Sequence, residues 1–188
     1  DVYKRQLQDG RAIFNGAIFK SEYDDKQESI LIPVNLANVA TVIRNAASME
    51  MTGFELELMY QVTEAWDLMV TYGYLEAEYK DYLADLTGDG IITDNSGLIP
   101  RNTPENTFGF TTSYTTQIGD GELKGRISYR FRDEMNSDSS NNPYGDLDSI
   151  ENVNATIGYT INNYSVTVWG RNLTDEREQR WATIGGLT

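Results

Sequence analysis

The chain carries no Cys and no His among its 188 residues. Thiolate chemistry, disulfides, Cys-based zinc sites and the commonest general base are therefore excluded. Carboxylates, cations and hydroxyls remain, and three groupings of them have a spacing that could do chemistry. The first is Asp85-Leu86-Thr87-Gly88-Asp89-Gly90-Ile91-Ile92-Thr93-Asp94. In a calcium loop, oxygen ligands come from alternate positions and a Gly makes the sharp turn between them. Asp85, Thr87, Asp89, Ile91 (by its backbone carbonyl) and Thr93 would then be ligands, with Gly90 at the turn. Thr87 stands where Asp or Asn is usual, and Ser96 where a bidentate Glu belongs, so the site would hold Ca²⁺ weakly. The other reading is a solvated Asp-Gly turn. No other cofactor is expected.

The second grouping is Glu55 and Glu57, on one face of a strand and roughly 7 Å apart along it. That separation overlaps the range of inverting glycosidases. Nothing else in the chain points to hydrolysis, and the protein is not expected to be an enzyme. The third is Lys124, Arg126, Arg130 and Arg132, which share one side of a single strand. They suit a track for an anion, or they are partners for carboxylates on neighbouring elements, Glu55 and Glu57 among them.

Those residues must be positioned by strands, because period-2 alternation runs through the whole chain. In Leu123–Arg132 the side chains of Leu123, Gly125, Ile127, Tyr129 and Phe131 alternate with Lys124, Arg126, Ser128, Arg130 and Arg132. A helix would smear these two sets around its circumference, whereas a strand separates them. Phe54, Leu56, Leu58 and Tyr60 alternate likewise with Glu55, Glu57, Met59 and Gln61. About seven strands follow from this pattern: roughly 11–24, 40–60, 66–80, 105–117, 121–133, 150–161 and 163–173. Residues 27–36 are expected to pair with the top of the first strand as a loop hairpin. Ile13, Phe14, Ala17, Ile18 and Phe19 put apolar groups on both faces of that strand, as a strand packed against a filled interior would.

Composition adds bounds. Lys and Arg number 15 against 29 Asp and Glu, a formal charge of −14, which excludes nucleic-acid binding through a generally basic surface. Twelve Tyr against four Pro is not the composition of a disordered chain. No apolar run approaches the roughly 18 residues of a transmembrane helix, but alternation lets a membrane barrel look hydrophilic on average. The connections point the same way. Those at 61–65, 117–121 and 161–163 are short, and those at 81–101, 133–149 and from 175 onward are long and polar. In an up-and-down meander this sorts all short turns to one end and all long loops to the other, as in transmembrane barrels. The fold expected is all-β, an antiparallel up-and-down transmembrane β-barrel, here partial. The aromatics Trp66, Tyr72, Tyr74, Tyr79, Tyr114, Tyr129, Phe131, Tyr159 and Tyr164 fit an interfacial girdle as well as they fit plain strand propensity.

Three stretches resemble a family. Arg44-Asn45-Ala46 leading to Thr52-Gly53-Phe54-Glu55-Leu56-Glu57 is similar to the late-barrel segment of TonB-dependent outer-membrane receptors. Ile99-Pro100-Arg101-Asn102-Thr103-Pro104-Glu105-Asn106-Thr107-Phe108 resembles the loop-to-strand transition that follows. Gly170-Arg171-Asn172-Leu173-Thr174-Asp175-Glu176 resembles the end of the penultimate strand. The matches come in the right order and cover about residues 10–180. The resemblance implies a barrel of roughly 22 strands with a plugged lumen. It implies import of a scarce nutrient, such as a ferric siderophore, with energy from TonB, and it implies a bacterial outer-membrane location. Outer-membrane lipid, a plug domain of the same full-length chain, TonB and the nutrient would be the partners. Glu55, Glu57, Lys124, Arg126, Arg130 and Arg132 would then face the lumen.

The sequence departs from the family by omission, since no plug, no TonB box and no closing strand with a terminal aromatic is visible. Residues 1–6, Asp1-Val2-Tyr3-Lys4-Arg5-Gln6, read as a translated adaptor scar outside the fold, and 7–188 as the C-terminal part of the barrel. Two other classes fit less well. A small complete barrel with a structural or adhesion role lacks its eighth strand. A soluble β-sandwich binding module has no reason to sort its loops by length.

Overall fold

The computed structural model describes residues 2–7, 10–35, 38–87 and 89–177. Among the described residues eleven strands occur in chain order: β1 (Val2–Leu7), β2 (Ala12–Asn35), β3 (Asn38–Thr63), β4 (Trp66–Ala84), β5 (Thr93–Asp94), β6 (Asn106–Ile118), β7 (Gly121–Arg132), β8 (Met135–Asn136), β9 (Asp146–Leu147), β10 (Ile150–Ile161) and β11 (Tyr164–Gly170). Eight of them form one antiparallel meander in the order β1-β2-β3-β4-β6-β7-β10-β11. The order ends at β1 on one side and β11 on the other, so the described sheet is an open arc of barrel wall. β5 pairs with the end of β4, and β8 and β9 pair with each other inside the loop 133–149.

Seven of the eight meander strands start close to the positions read from alternation, and six of them also end close; β2 instead runs on to Asn35. The eighth is β1, whose Val2–Leu7 backbone pairs with Ala17–Ala12. Residue 36 lies outside the described residues, and residues 27–35 depart from expectation. They do not fold back on the first strand; residues 27–35 continue β2 and pair with β3 as far as Asn35↔Asn38. At a bulge between Tyr23 and Lys26, with Asp25 at a φ of 54°, two residues of β2 stand opposite one of β3, and a compensating shift between Lys26 and Gln27 lets the ladder resume. β2 and β3 therefore run 24 and 26 residues. That is far more than the roughly 9–11 a membrane-spanning strand needs, so their upper halves project beyond it.

Cross-strand register carries each face across the sheet. Phe54, Tyr74 and Asn106 share one row. Leu56, Tyr72, Phe108 and Phe131 share the next, and Leu58, Val70, Phe110 and Tyr129 the one below. Ile127, Ala155 and Gly170 extend the same face toward β11. Side chains of this face are half-buried to fully open: Ile18 is 70% exposed, Ile157 51% and Val168 64%. An apolar band of this extent is a membrane surface.

Aromatic groups of that face gather at both strand ends. Tyr60, Trp66, Tyr114, Tyr159 and Tyr164 lie toward the short turns, and Phe54, Tyr74 and Phe108 toward the long loops. Some polar tips on this face have partners: Trp66 Nε1 donates to Thr112 Oγ1 (2.7 Å), and Tyr72 OH to Asn106 Oδ1 (2.6 Å). Tyr79 is the departure from the expected girdle. It lies on the opposite face, buried, in the cluster described below.

Close approach to glycine sets the packing at one position. A Cβ on Gly53 would stand 2.3 Å from the Tyr74 carbonyl oxygen and 2.7 Å from the Phe19 ring. Neither the backbone nor the ring can yield without shifting the sheet. Gly53→Ala in the full-length receptor is expected to destabilise the barrel by about 1–3 kcal/mol, read as a lower midpoint for loss of the SDS-resistant folded form on heating. An unchanged midpoint would contradict the packing.

Candidate functional site on the concave wall

The face opposite the apolar band is polar and concave. Residues from β2 to β10 line a trough of about 910 Å³ on it, Glu55, Glu57, Arg130 and Arg132 among them. The register places these four with unexpected regularity. One row reads Glu55↔Gly73↔Thr107↔Arg132, and the next reads Glu57↔Thr71↔Gly109↔Arg130. Three inter-strand steps separate acid from base in each row, about 14 Å along the sheet. The floor between them carries only Gly and Thr. Gly in a strand interior often marks a place where another backbone comes close. Here a Cβ on Gly73 would meet Thr107 Oγ1 at 2.8 Å, and one on Gly109 would meet Thr71 Oγ1 at 2.4 Å.

The acids and bases also have near neighbours. Asn15 Nδ2 donates to Glu57 Oε1 (2.6 Å). Arg132 donates to the carbonyls of Asp133 (3.0 Å) and Asp148 (3.1 Å), so it ties down both ends of the loop 133–149. Lys124 and Arg126 share the face but sit lower, toward the short turns. Arg126 is in the row of Ser113 and Asp67, and Lys124 in the row of Thr115. The structure thus sets Arg130 and Arg132 opposite the two glutamates and leaves Lys124 and Arg126 away from them. Asp67, Thr71, Gly73, Thr107 and Gly109 were not singled out from the sequence. Strand parity alone would have placed them on this face.

Above the trough lies a buried polar cluster. Glu28 is wholly buried, with Lys26 Nζ at 2.5 Å and Arg101 Nε at 3.3 Å. Tyr79 OH donates to Glu28 Oε1 (2.9 Å), and the Lys26 ammonium lies 5.1 Å from the Tyr79 ring centre. Burial, reinforced by the Glu28 charge, pushes the Tyr79 phenol well above its ordinary pKa. Tyr79 packs on Tyr82 (4.6 Å between centroids), and with Ala47, Met49 and Ala84 they make an apolar pad that Leu86 and Leu98 cover. Removing one partner of an enclosed ion pair costs on the order of 3–5 kcal/mol; Lys26 and Arg101 keep part of their surface in water, which lowers the cost here.

The Asp85 loop closes on its own backbone. Asp85 accepts from the N–H groups of Gly90 (2.8 Å) and Thr87 (3.2 Å), and Asp89 from Ile91 N–H (2.8 Å). Thr93 lies in β5, and its hydroxyl donates to the Ala84 carbonyl (3.3 Å). Among the described residues no three acidic side chains stand together as a metal site.

Residues 3–173 match the family model for the TonB dependent receptor-like β-barrel. Solved structures share the fold. The ferric yersiniabactin uptake receptor FyuA of Yersinia pestis superposes with a TM-score of 0.74 at 16% identity, over 98% of this chain and 26% of its own. The siderophore receptor PiuA of Acinetobacter baumannii gives 0.67 at 23% identity, over 93% and 24%. The ferric-catecholate import receptor Fiu of E. coli gives 0.64 at 21%, over 93% and 22%. The chain thus spans about a quarter of the length of these receptors. Receptors of this family serve transport rather than enzymatic conversion, and they reside in the bacterial outer membrane. With its apolar outer band, polar concave face and sorted loops, the chain belongs to the TonB-dependent receptor family and forms part of the wall of its outer-membrane β-barrel.

Proposed function

We propose that the complete receptor takes up a scarce nutrient, a ferric siderophore or a similar complex, across the outer membrane with energy from TonB. The similarity to FyuA, PiuA and Fiu supports the cargo class. One observation carries the reading of the wall: two rows that each set an Arg against a Glu across a floor of Gly and Thr. A track for an anion would be lined by one sign of charge. A wall with both signs suits a folded occupant that presents both, which is the plug domain of the same full-length chain. In this reading Glu55, Glu57, Arg130 and Arg132 seat the plug, and TonB acts on the plug from the periplasm.

Cells that depend on the full-length receptor should accumulate radioactive ferric siderophore under iron limitation, and a protonophore or loss of TonB should abolish accumulation while surface binding persists. Accumulation that survives both treatments would rule out TonB-driven transport. The doubly substituted Arg130→Gln, Arg132→Gln receptor is expected to lose uptake several-fold and to expose its plug to protease in isolated membranes. Lost uptake with a fully protected plug would favour the anion track instead, and unchanged uptake would remove both roles.

A further inference from the structure

We propose that the stretch 99–105 and the loop 133–149, both at the outer mouth, move as one unit that is keyed to the barrel wall at Glu28. Glu28 is thereby a positioning residue acting through Arg101. The proposal stands on geometry and is independent of the cargo.

A fully buried carboxylate needs partners, because burial strips it of water. Glu28 takes Lys26 from its own strand and the Tyr79 hydroxyl from β4, and both are fixed by the ladder. Arg101 is different, since it arrives from a loop. Residues 93–95 are already held to β4 by strand pairing and by Asn95, so the Glu28–Arg101 contact is where the stretch 99–105 is held by charge to the wall. The chain on either side of Arg101 is then bonded to the second loop. Ile99 N–H donates to Asn141 Oδ1 (2.7 Å), and Asn141 Nδ2 donates back to the Ile99 carbonyl (2.8 Å). Asn102 N–H donates to the Asn136 carbonyl (2.8 Å).

The second loop is itself tightly made. β8 pairs with β9, Asn142 caps the 3₁₀ turn Pro143–Gly145, and Ser137 bonds the Gly145 carbonyl through both its N–H (2.8 Å) and its hydroxyl (3.0 Å). It cannot follow a displaced Ile99 in part; it moves whole. Arg101 keeps 36% of its side-chain surface in solvent, so an anion at the mouth can compete with Glu28 for the guanidinium. Displacement of Arg101 would release the stretch 99–105 and, with it, the body of the loop 133–149 between the ends that Arg132 ties down.

The test uses the full-length receptor in outer membranes with a spin label at Ile99→Cys or Tyr144→Cys, one in each loop, each in the Glu28→Gln, Arg101→Gln and double backgrounds. Both labels are expected to tumble several-fold faster in either single variant, and the double variant should add nothing, because the two residues act through one contact. Arg101→Lys should keep both labels slow. Barrel integrity is followed by SDS-resistant gel mobility, and Arg101→Gln, which leaves the strands untouched, carries the test if Glu28→Gln fails to assemble. Loosening of the label at position 99 with none at 144 would overturn the single unit. No loosening at either position would overturn the key, and additive effects of the two substitutions would overturn their action through one contact.

Discussion

Inside a bilayer no water is available to satisfy backbone N–H and C=O groups, so every one must be paired within the protein. The rest of this structure depends on that constraint. It enforces the uninterrupted antiparallel ladder from β1 to β11, and the ladder in turn fixes the direction of every side chain. With a period of two, one face must suit lipid and the other must suit the interior. The low mean hydropathy of the chain is therefore the average of two opposed surfaces. Val168, 64% exposed on the outer face, and Glu57, bonded to Asn15 on the inner, are consequences of one backbone geometry.

Above the lipid the constraint relaxes, and the chain changes character. β2 and β3 outrun the membrane, a bulge at Tyr23–Lys26 re-aims the ladder, and the inner face becomes enclosed. Here alone the described residues build a core in the ordinary sense, with Ala47, Met49, Tyr79, Tyr82 and Ala84 under the loops. A buried carboxylate in that core gives charge specificity to a loop contact. The wall between lipid and loops has no such core. Its stability rests on ladder hydrogen bonds, on ring pairs such as Phe54–Tyr74 at 5.5 Å, and on lipid at its outer side.

Strand positions were legible because lipid exposure demands regular alternation, and seven meander strands follow it to within a few residues at most of their ends. β1 lies outside the expected strands because residues 1–6 read as an adaptor scar; backbone pairing is indifferent to the origin of a side chain and does not decide that reading. The continuation of β2 past Tyr23 was hidden by a bulge, which breaks parity without breaking the ladder. The opposed rows of Glu and Arg were legible only as separate pairs, because register across three strands is a property of the sheet. The Glu28 cluster was not legible at all. Its members lie 51 residues apart between Glu28 and Tyr79, and farther to Arg101, and no local pattern links them. Tyr79 had the composition of a girdle residue and the parity of an inner one, and parity decided.

The central claim is that successive residues of one strand face lipid and the aqueous interior in turn. These 188 residues hold no Cys, and single cysteines along β7 and β10 of a receptor otherwise cleared of Cys test it directly. In native outer membranes, thiols placed at Ile127, Tyr129, Ala155 and Ile157 should react with a membrane-confined maleimide. Those at Arg126, Ser128, Asn154 and Thr156 should react with a small water-soluble one. Strict alternation of the two reactivities is the predicted result; equal labelling of neighbouring positions by either reagent would contradict the account.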